Sequence, residues 1–390
     1  MYYVDMDQLK QHKFIVFCND HYNPLGLVRS LGETGIKSDC IIITPNPILF
    51  SHSKYVNQLI KVRDRMEGLD YIVSHYSNEK LKPFILTGDD KTIELLNRNY
   101  VALDDKFYFY NAGGTRIDEL MNKDIISSLA EEAGLSVLPR EVVNHGDLPT
   151  TLQYPVMTKS IMSIVGGGKD DSFICETEED LKSIYPRIKA HKVLIQQYIK
   201  KKTEWNFEGF SVKQGQEIYI PFVIKHCRFT DKSFGYYMTV EPFVDEYLRE
   251  KLYKLIRSTH FEGIFEIEFL ESQEGQLYFL EVNFRSSPWA FALTSGNVNV
   301  PYLWAKAMLS GGIDYASIHP QQTMFTAIDE ILDFANSVKS RKISFFKWMK
   351  QVIKSQRKYY FTKDDPKPAI YAYWRYLKKS LKKHVIHSHR

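Results

Sequence analysis

The stretch YFLEVNFR, Tyr278 to Arg285, is apolar enough for a buried strand, with Tyr278, Phe279, Leu280, Val282 and Phe284 all able to pack in a core. It also carries Glu281, Asn283 and Arg285, which share one parity in the two-residue alternation of a strand. Buried without partners, a carboxylate, an amide and a guanidinium are costly, so this strand must face something that supplies them. An earlier strand signal, GIFEIEFLES, is joined to it at Gly275 and brings in a second carboxylate, Glu268. Two carboxylates and an amide oxygen converging across an antiparallel pair make a hard-oxygen site of the kind magnesium prefers, with phosphate oxygens and water completing the octahedron. The competing reading is a solvated charge ladder, and the aromatic and aliphatic residues between the charges weigh against it.

The chain around this stretch has 390 residues, of which 44% are hydrophobic and 25% charged. That is the balance of a globular chain of two or three domains and excludes a disordered or fibrous one. The apolar runs FIVF (14–17) and IIITPNPILF (41–50) are too short, or too broken by proline, to span a bilayer. No basic-then-apolar signal layout opens the chain, so a cytoplasmic location is expected. Cys18, Cys40, Cys175 and Cys227 form no CxxC pair and read as small core residues, not as disulfides or a zinc site. The net charge of +4 is uneven: residues 341–390 hold 15 Lys or Arg against Asp364 and Asp365, a net of +13 that leaves the first 340 residues at −9.

Strand and helix signals alternate from the start. KFIVFCND, SDCIIIT and KPFILTGDD read as strands, and NPLGLVRSLGETG, VNQLIKVRDRMEGL and KTIELLNRN as helices, which predicts a small open parallel sheet over residues 10–115. There is no GxGxxG dinucleotide fingerprint. A helix in MNKDIISSLAEEAGLSVLP, closed by Gly134, leads to strands YPVMTKS, FICET and VLIQQYI with a helix EEDLKSIYPRIKAH between them. Residues 207–240 read as paired strands turning at QGQE, and DEYLREKLYKLIRSTH as the helix before the two acidic strands.

Several upstream features have the chemistry of a nucleotide site. Lys159 ends an apolar strand where a point cation can meet a phosphate, and VGGGK brings Gly166, Gly167 and Gly168, whose N–H groups can close over phosphates, although a glycine run is more often just a turn. Gln196 and Gln197 run into Tyr198 and Ile199 with Glu204 on the loop beyond, a grouping that offers amide and backbone contacts to adenine and a carboxylate to ribose.

In this order, over residues 12–312, the motifs resemble the ATP-grasp superfamily of carboxylate–amine ligases, in its D-aspartate-ligase-like and carbamoyl-phosphate-synthase-like branches. The resemblance implies an α/β and α+β fold: an N-terminal open parallel-sheet domain (1–115), a two-part ATP-grasp unit made of a lid (116–204) and a metal-bearing part (205–312), and a basic helical extension (313–390). It places Lys123 and Lys159 near phosphates and the adenine strand at VLIQQYI. The ribose acid falls at Glu204, with Glu208 as a substitute, and Glu268, Glu281 and Asn283 become metal ligands. Lys225 or Arg228 would be a further phosphate cation, and Arg285 would grip the acyl phosphate or the incoming carboxylate. The implied cofactors are ATP and Mg2+, with Mn2+ able to replace it. The implied reaction joins a small carboxylate to an amine through an acyl phosphate, with an envelope precursor, an amino acid or a dipeptide as substrate. A protein that binds nucleotide or docks on a membrane without turnover is the alternative from another class.

Smaller features keep two readings each. Asp89 and Asp90 close a strand at the carboxyl edge of the first sheet, where they either meet substrate or cap the next helix, and Asn19, Asp20 and His21 share that ambiguity. His226 reads as a packed strand residue and the acids at 176–180 as a solvated helix start. The basic, aromatic tail fits an anionic membrane surface or a polyanionic precursor at the inner membrane face, or a packed helical appendage. Nucleic acid is not expected, since no such motif occurs.

Overall fold

The computed structural model describes residues 6–47, 49–114, 116–162, 171–228 and 235–387. Its first sheet has five parallel strands in the order Val56–Val62, Ser38–Ile43, Phe14–Cys18, Phe84–Leu86 and Tyr108–Phe109. Helices cover both faces, so the central strands are continuous apolar runs with no alternation. One expected helix is corrected. VNQLIKVRDRMEGL divides into an edge strand, Val56–Val62, and a helix, Arg65–Tyr76, begun by Asp64, whose carboxylate accepts from the Glu67 N–H at 2.9 Å. The β-branched Val56 and Ile60 are only half-buried while Val62 is buried, and pairing with Ser38–Ile43 decides their state.

A second sheet is antiparallel, in the order Arg140–Asn144, Lys192–Gln197, Val156–Ser160 and Ile174–Cys175. Its alternation is clean. Val156, Thr158 and Ser160 are buried, with Val156, Val193 and Ile195 packed on Leu181, while Met157 and Lys159 pair with Gln196 and Leu194 on the other face. The glycine loop, Gly166 to Gly168, lies outside the described residues.

The third and largest sheet runs Leu277–Asn283, Gly263–Ser272, Lys201–Val212, Phe222–His226, Tyr237–Pro242, Phe325–Ile328 and Arg357–Lys358, with Glu217–Tyr219 also on Lys201–Val212. Because its long strand begins at Lys201, Glu204 sits within a strand and not on a loop as expected. The hairpin after it turns through Lys213, Gln214 and Gly215, all at positive φ; at Gly215 a side chain would come within 2.9 Å of the Ile256 carbonyl, so only glycine fits.

YFLEVNFR contains a bulge. Glu268 pairs with Glu281 but Phe269 pairs with Phe279, so Leu280 is the extra residue. Strict alternation would put Phe279 on the face of Glu281. The bulge resets the phase, leaving Phe279, Val282 and Phe284 buried in the core while Glu281 and Asn283 lie on the other side.

The C-terminal extension is not purely helical, since two of its segments join the large sheet. Tyr359 is fully buried, and Asp365 forms an ion pair with Arg29 at 3.0 Å in which the two side chains are 2% and 1% exposed. Ser53 Oγ and the Lys54 N–H also donate to Asp365, at 2.8 and 3.0 Å. Three of the cysteines are buried as expected and Cys227 is exposed. Removing one member of a buried pair strands the other, so Asp365→Ala should cost about 3–5 kcal/mol. A urea-unfolding midpoint unchanged from the parent would contradict that placement.

Candidate active site

Three neighbouring strands line up two polar rungs. Asn206, Glu268 and Glu281 lie opposite one another, and so do Glu208, Glu266 and Asn283. Alternation puts Glu204 on the same face as Asn206, and all of these project to one side of the sheet. Hydrogen bonds knit the rungs. Asn206 Nδ2 donates to Glu266 at 2.7 Å, and Asn283 Nδ2 donates to Glu266 at 3.0 Å and to Glu268 at 2.7 Å. Ser287 gives both its N–H, at 3.1 Å, and its hydroxyl to Glu208.

Burial pushes the carboxyls of Glu208, Glu266 and Glu268 up from the ordinary range, and each is raised further by its acidic neighbours. Three cations answer them. Lys123, first in the helix Lys123–Glu132 capped by Asn122, pairs with Glu281; burial opposes its charge, but Glu281, Glu268 and Asp90 outweigh burial and hold its pKa above the usual lysine value. Lys159 reaches the same acids from the small sheet, and burial together with Lys123 pushes it down to about 8. Arg285 donates to Asp90 at 2.7 Å and to the Asn283 oxygen at 3.1 Å; burial opposes its charge too, yet these acids raise its pKa.

Of the residues expected at the site, Lys123, Lys159, Glu268, Glu281, Asn283 and Arg285 converge. Asp90, Lys123, Glu281 and Asn283 line one small cavity with Leu120 and Phe284. Lys225 and Arg228 are not brought to it. Lys225 lies opposite Trp205, hence on the other face, stacked 4.2 Å over the indole and paired with Glu241 at 2.7 Å. Arg228 is held by Asp333 and by Gln351 at 2.9 Å. Gln196 and Gln197 part company: Gln196 shares the Lys159 face, whereas Gln197 turns its amide to the Pro155 carbonyl at 3.0 Å. Tyr198 and Ile199 are half-buried in the link to the large sheet, and Glu204 is paired with Lys201 at 2.8 Å.

The first sheet's carboxyl edge resolves its ambiguities. Asp89 caps its helix, accepting from the Lys91 N–H at 3.0 Å, and pairs with Arg65, while Asp90 faces Arg285. Asn19 donates to Asp89 at 3.0 Å, Asp20 accepts from the Leu49 N–H at 3.1 Å, and His21 caps the helix Tyr22–Glu33. His226 is packed between Asn206 and the Gly235 carbonyl, 2.8 and 2.7 Å away. Sequence reasoning missed Glu266, Asn206 and the Asp90–Arg285 pair. The signal for the first two was present, since NFE and EIE alternate polar and apolar residues like the recognised strand.

Among the described residues no group of three or more His, Cys, Asp or Glu is arranged to hold a metal ion. The donor set is instead two facing carboxylates, Glu268 and Glu281, with the Asn283 amide beside them. A divalent cation fits this set because Glu268 is buried against other acids, and a cation would relieve the charge that now raises its pKa.

Residues 123–315 match the family model described as "Carbamoyl-phosphate synthase L chain, ATP binding domain". No curated protein sequence matches the chain. Among solved structures, the fold is similar to N5-carboxyaminoimidazole synthetase from Staphylococcus aureus complexed with ADP, at 16% identity and a TM-score of 0.63 over 85% of each chain. It is also similar to an L-amino acid ligase from Bacillus licheniformis, at 14% identity and a TM-score of 0.62 over 81% of this chain and 79% of that one. A third likeness is the biotin carboxylase domain of Hydrogenobacter thermophilus 2-oxoglutarate carboxylase, in complex with MgADP, at 18% identity and a TM-score of 0.60 over 80% and 73%. Its open parallel sheet, small antiparallel sheet and acid-bearing large sheet, in this order, give the chain the fold of these ATP-dependent enzymes, and residues 123–315 match an ATP-binding domain of the ATP-grasp superfamily.

Proposed function

We propose that the protein joins a carboxylate to an amine with cleavage of ATP to ADP and phosphate. A carboxylate oxygen attacks the γ-phosphorus and ADP departs; the amine nitrogen then attacks the acyl carbon of the mixed anhydride, phosphate leaves, and the amine loses a proton. The observation that carries this reading is Arg285, which bridges Asp90, at the carboxyl edge of the first sheet, to Asn283 in the acidic rungs. That edge is where open α/β sheets take their ligands, so one guanidinium spans the place for a small substrate and the place for phosphates. Its planar fork suits a carboxylate or an acyl phosphate.

ATP and Mg2+ are the cofactors of this superfamily. Glu268, Glu281 and Asn283 would hold the metal, which when bound neutralises charge on phosphate oxygens. Lys123 and Lys159 add positive charge beside it, and Gln196, on the Lys159 face, would meet the adenine. Positioning and charge neutralisation are what phosphoryl transfer needs from a protein. Glu208 lies too deep, against Ser287, to reach a ribose, which favours Glu204 for that role. The likeness to an amino acid ligase supports an amino acid as one substrate. The envelope-precursor reading rests on the general likeness to such ligases and on the basic, aromatic C-terminal extension.

With ATP, Mg2+ and the right carboxylate, hydroxylamine in place of the amine should trap a hydroxamate, and Glu281→Gln should abolish ADP release while keeping the fold. Release of AMP and pyrophosphate, or full turnover by Glu281→Gln, would overturn the reading. Lys159 gives a second test. A lysine lowered to about 8 loses its charge as pH rises through that value, so ADP affinity measured by calorimetry should fall by about tenfold per pH unit above 8. In Lys159→Gln the affinity should be low and should lack this slope.

A further inference from the structure

Helix Phe345–Lys354, FFKWMKQVIK, is divided lengthwise into three faces. Trp348, Gln351 and Val352 turn inward: the indole packs on Phe334 with ring centroids 5.0 Å apart, and Gln351 accepts from Arg228. Phe345, Phe346, Met349 and Ile353, spaced i, i+1, i+4, i+8, share a second face. They are exposed, Phe346 to 84% and Ile353 to 70%. Lys347, Lys350 and Lys354 line the third face alongside and are also exposed, and the helix contains no acid. Other large apolar residues are exposed elsewhere, such as Val101 and Val244, but single ones are ordinary; four on one helical face are not.

The longer helix Lys367–His387 repeats the layout. Ala369 and Ala372 are buried, while Ile370, Tyr371, Trp374 and Leu377 form an exposed face, with Lys378 over the Trp374 ring at 4.8 Å. Both helices are fixed to the body through Phe334, which touches Phe345 and Trp348 in one and Tyr376 in the other. Their outward apolar faces therefore belong to helices already packed on the body.

We propose that helix Phe345–Lys354, with the exposed face of Lys367–His387 as its neighbour, is a docking surface for an anionic lipid bilayer. The apolar face would enter the boundary between headgroups and acyl chains, and the lysines beside it would meet lipid phosphates. Charge complementarity selects this occupant. Lys347, Lys350 and Lys354 flank the apolar face on a helix without an acid, so this face complements an anionic surface, whereas a second copy joined through the same face would set lysines against lysines. No described helix is long and apolar enough to cross a membrane, so docking would be confined to the surface. This inference does not depend on the ligase reading.

Truncation is the wrong test, because Arg357 to Asp365 belong to the folded body. The full chain should instead be sedimented with vesicles of phosphatidylcholine alone and with added phosphatidylglycerol. Binding is expected only to the anionic vesicles. It should fall at least tenfold in Phe346→Ser/Ile353→Ser, and by about a hundredfold when Lys347, Lys350 and Lys354 are all changed to Gln, at about fivefold per lysine. ADP binding and the thermal melt of both variants should match the parent, which separates lost docking from lost folding. Three results would overturn the proposal: no difference between neutral and anionic vesicles, a dimer in sedimentation velocity that Phe346→Ser dissolves while vesicle binding is absent, or duplex DNA that displaces the protein from vesicles.

Discussion

The structure is organised around a cluster of carboxyl groups that share too little water. Glu204, Glu208, Glu266, Glu268 and Glu281 stand on one face of three adjacent strands, and burial together with acidic neighbours drives the pKa of Glu208, Glu266 and Glu268 upward. Cations must therefore be delivered to that face, and they come from separate parts of the chain. Lys123 arrives on the first turn of a helix, Lys159 on a strand of a different sheet, and Arg285 from the end of the acidic strand itself, steadied by Asp90 of the first sheet. The convergence of three sheets on one place is thus an electrostatic requirement as much as a packing one.

The same constraint explains the bulge at Leu280. A strand that closes the edge of the acidic ladder has to bury Phe279 against Phe269 and still present Glu281 opposite Glu268, yet the two residues have equal parity. Inserting one residue satisfies both. Without it, either a carboxylate would enter the hydrophobic core or a phenylalanine would displace a proposed metal ligand. The residues Tyr278 to Arg285 reveal which groups matter, but not where the phase changes.

Much of the fold was legible because local pattern and tertiary demand agreed. Continuous apolar runs gave the parallel strands, and Gly134, Gly215 and Gly275 marked true turns at positive φ. The failures share a cause. The polar residues of VNQLIKV mimic an amphipathic helical period, and an edge strand with one neighbour shows too little burial to break that likeness. In the sequence, Lys225 and Arg228 are candidate phosphate cations on the strand after the hairpin, where alternation turns only one of them inward. Their facing depends on pairing register and on Asp333, which is distant in sequence. Glu266 was overlooked because its role is to hold two asparagines, a job visible only once three strands are side by side.

The C-terminal extension shows how far a segment's net charge can mislead when read as a single property. Part of the positive charge works inside the molecule: Arg357 stacks 3.9 Å over Phe291 and reaches Glu33 at 3.2 Å, and Lys358 donates to the Ser355 carbonyl at 2.9 Å. One of its two acids, Asp365, is spent on Arg29 in the core. What remains for an external partner is therefore not spread over fifty residues but concentrated on the helices, where lysines flank exposed aromatic and aliphatic side chains. The inward edge of helix Phe345–Lys354 meets Arg228 through Gln351, and Arg228 lies two residues beyond His226, which ends its strand and bonds Asn206. The proposed docking helix and the polar rungs are thus connected through two hydrogen bonds and the short backbone segment between them.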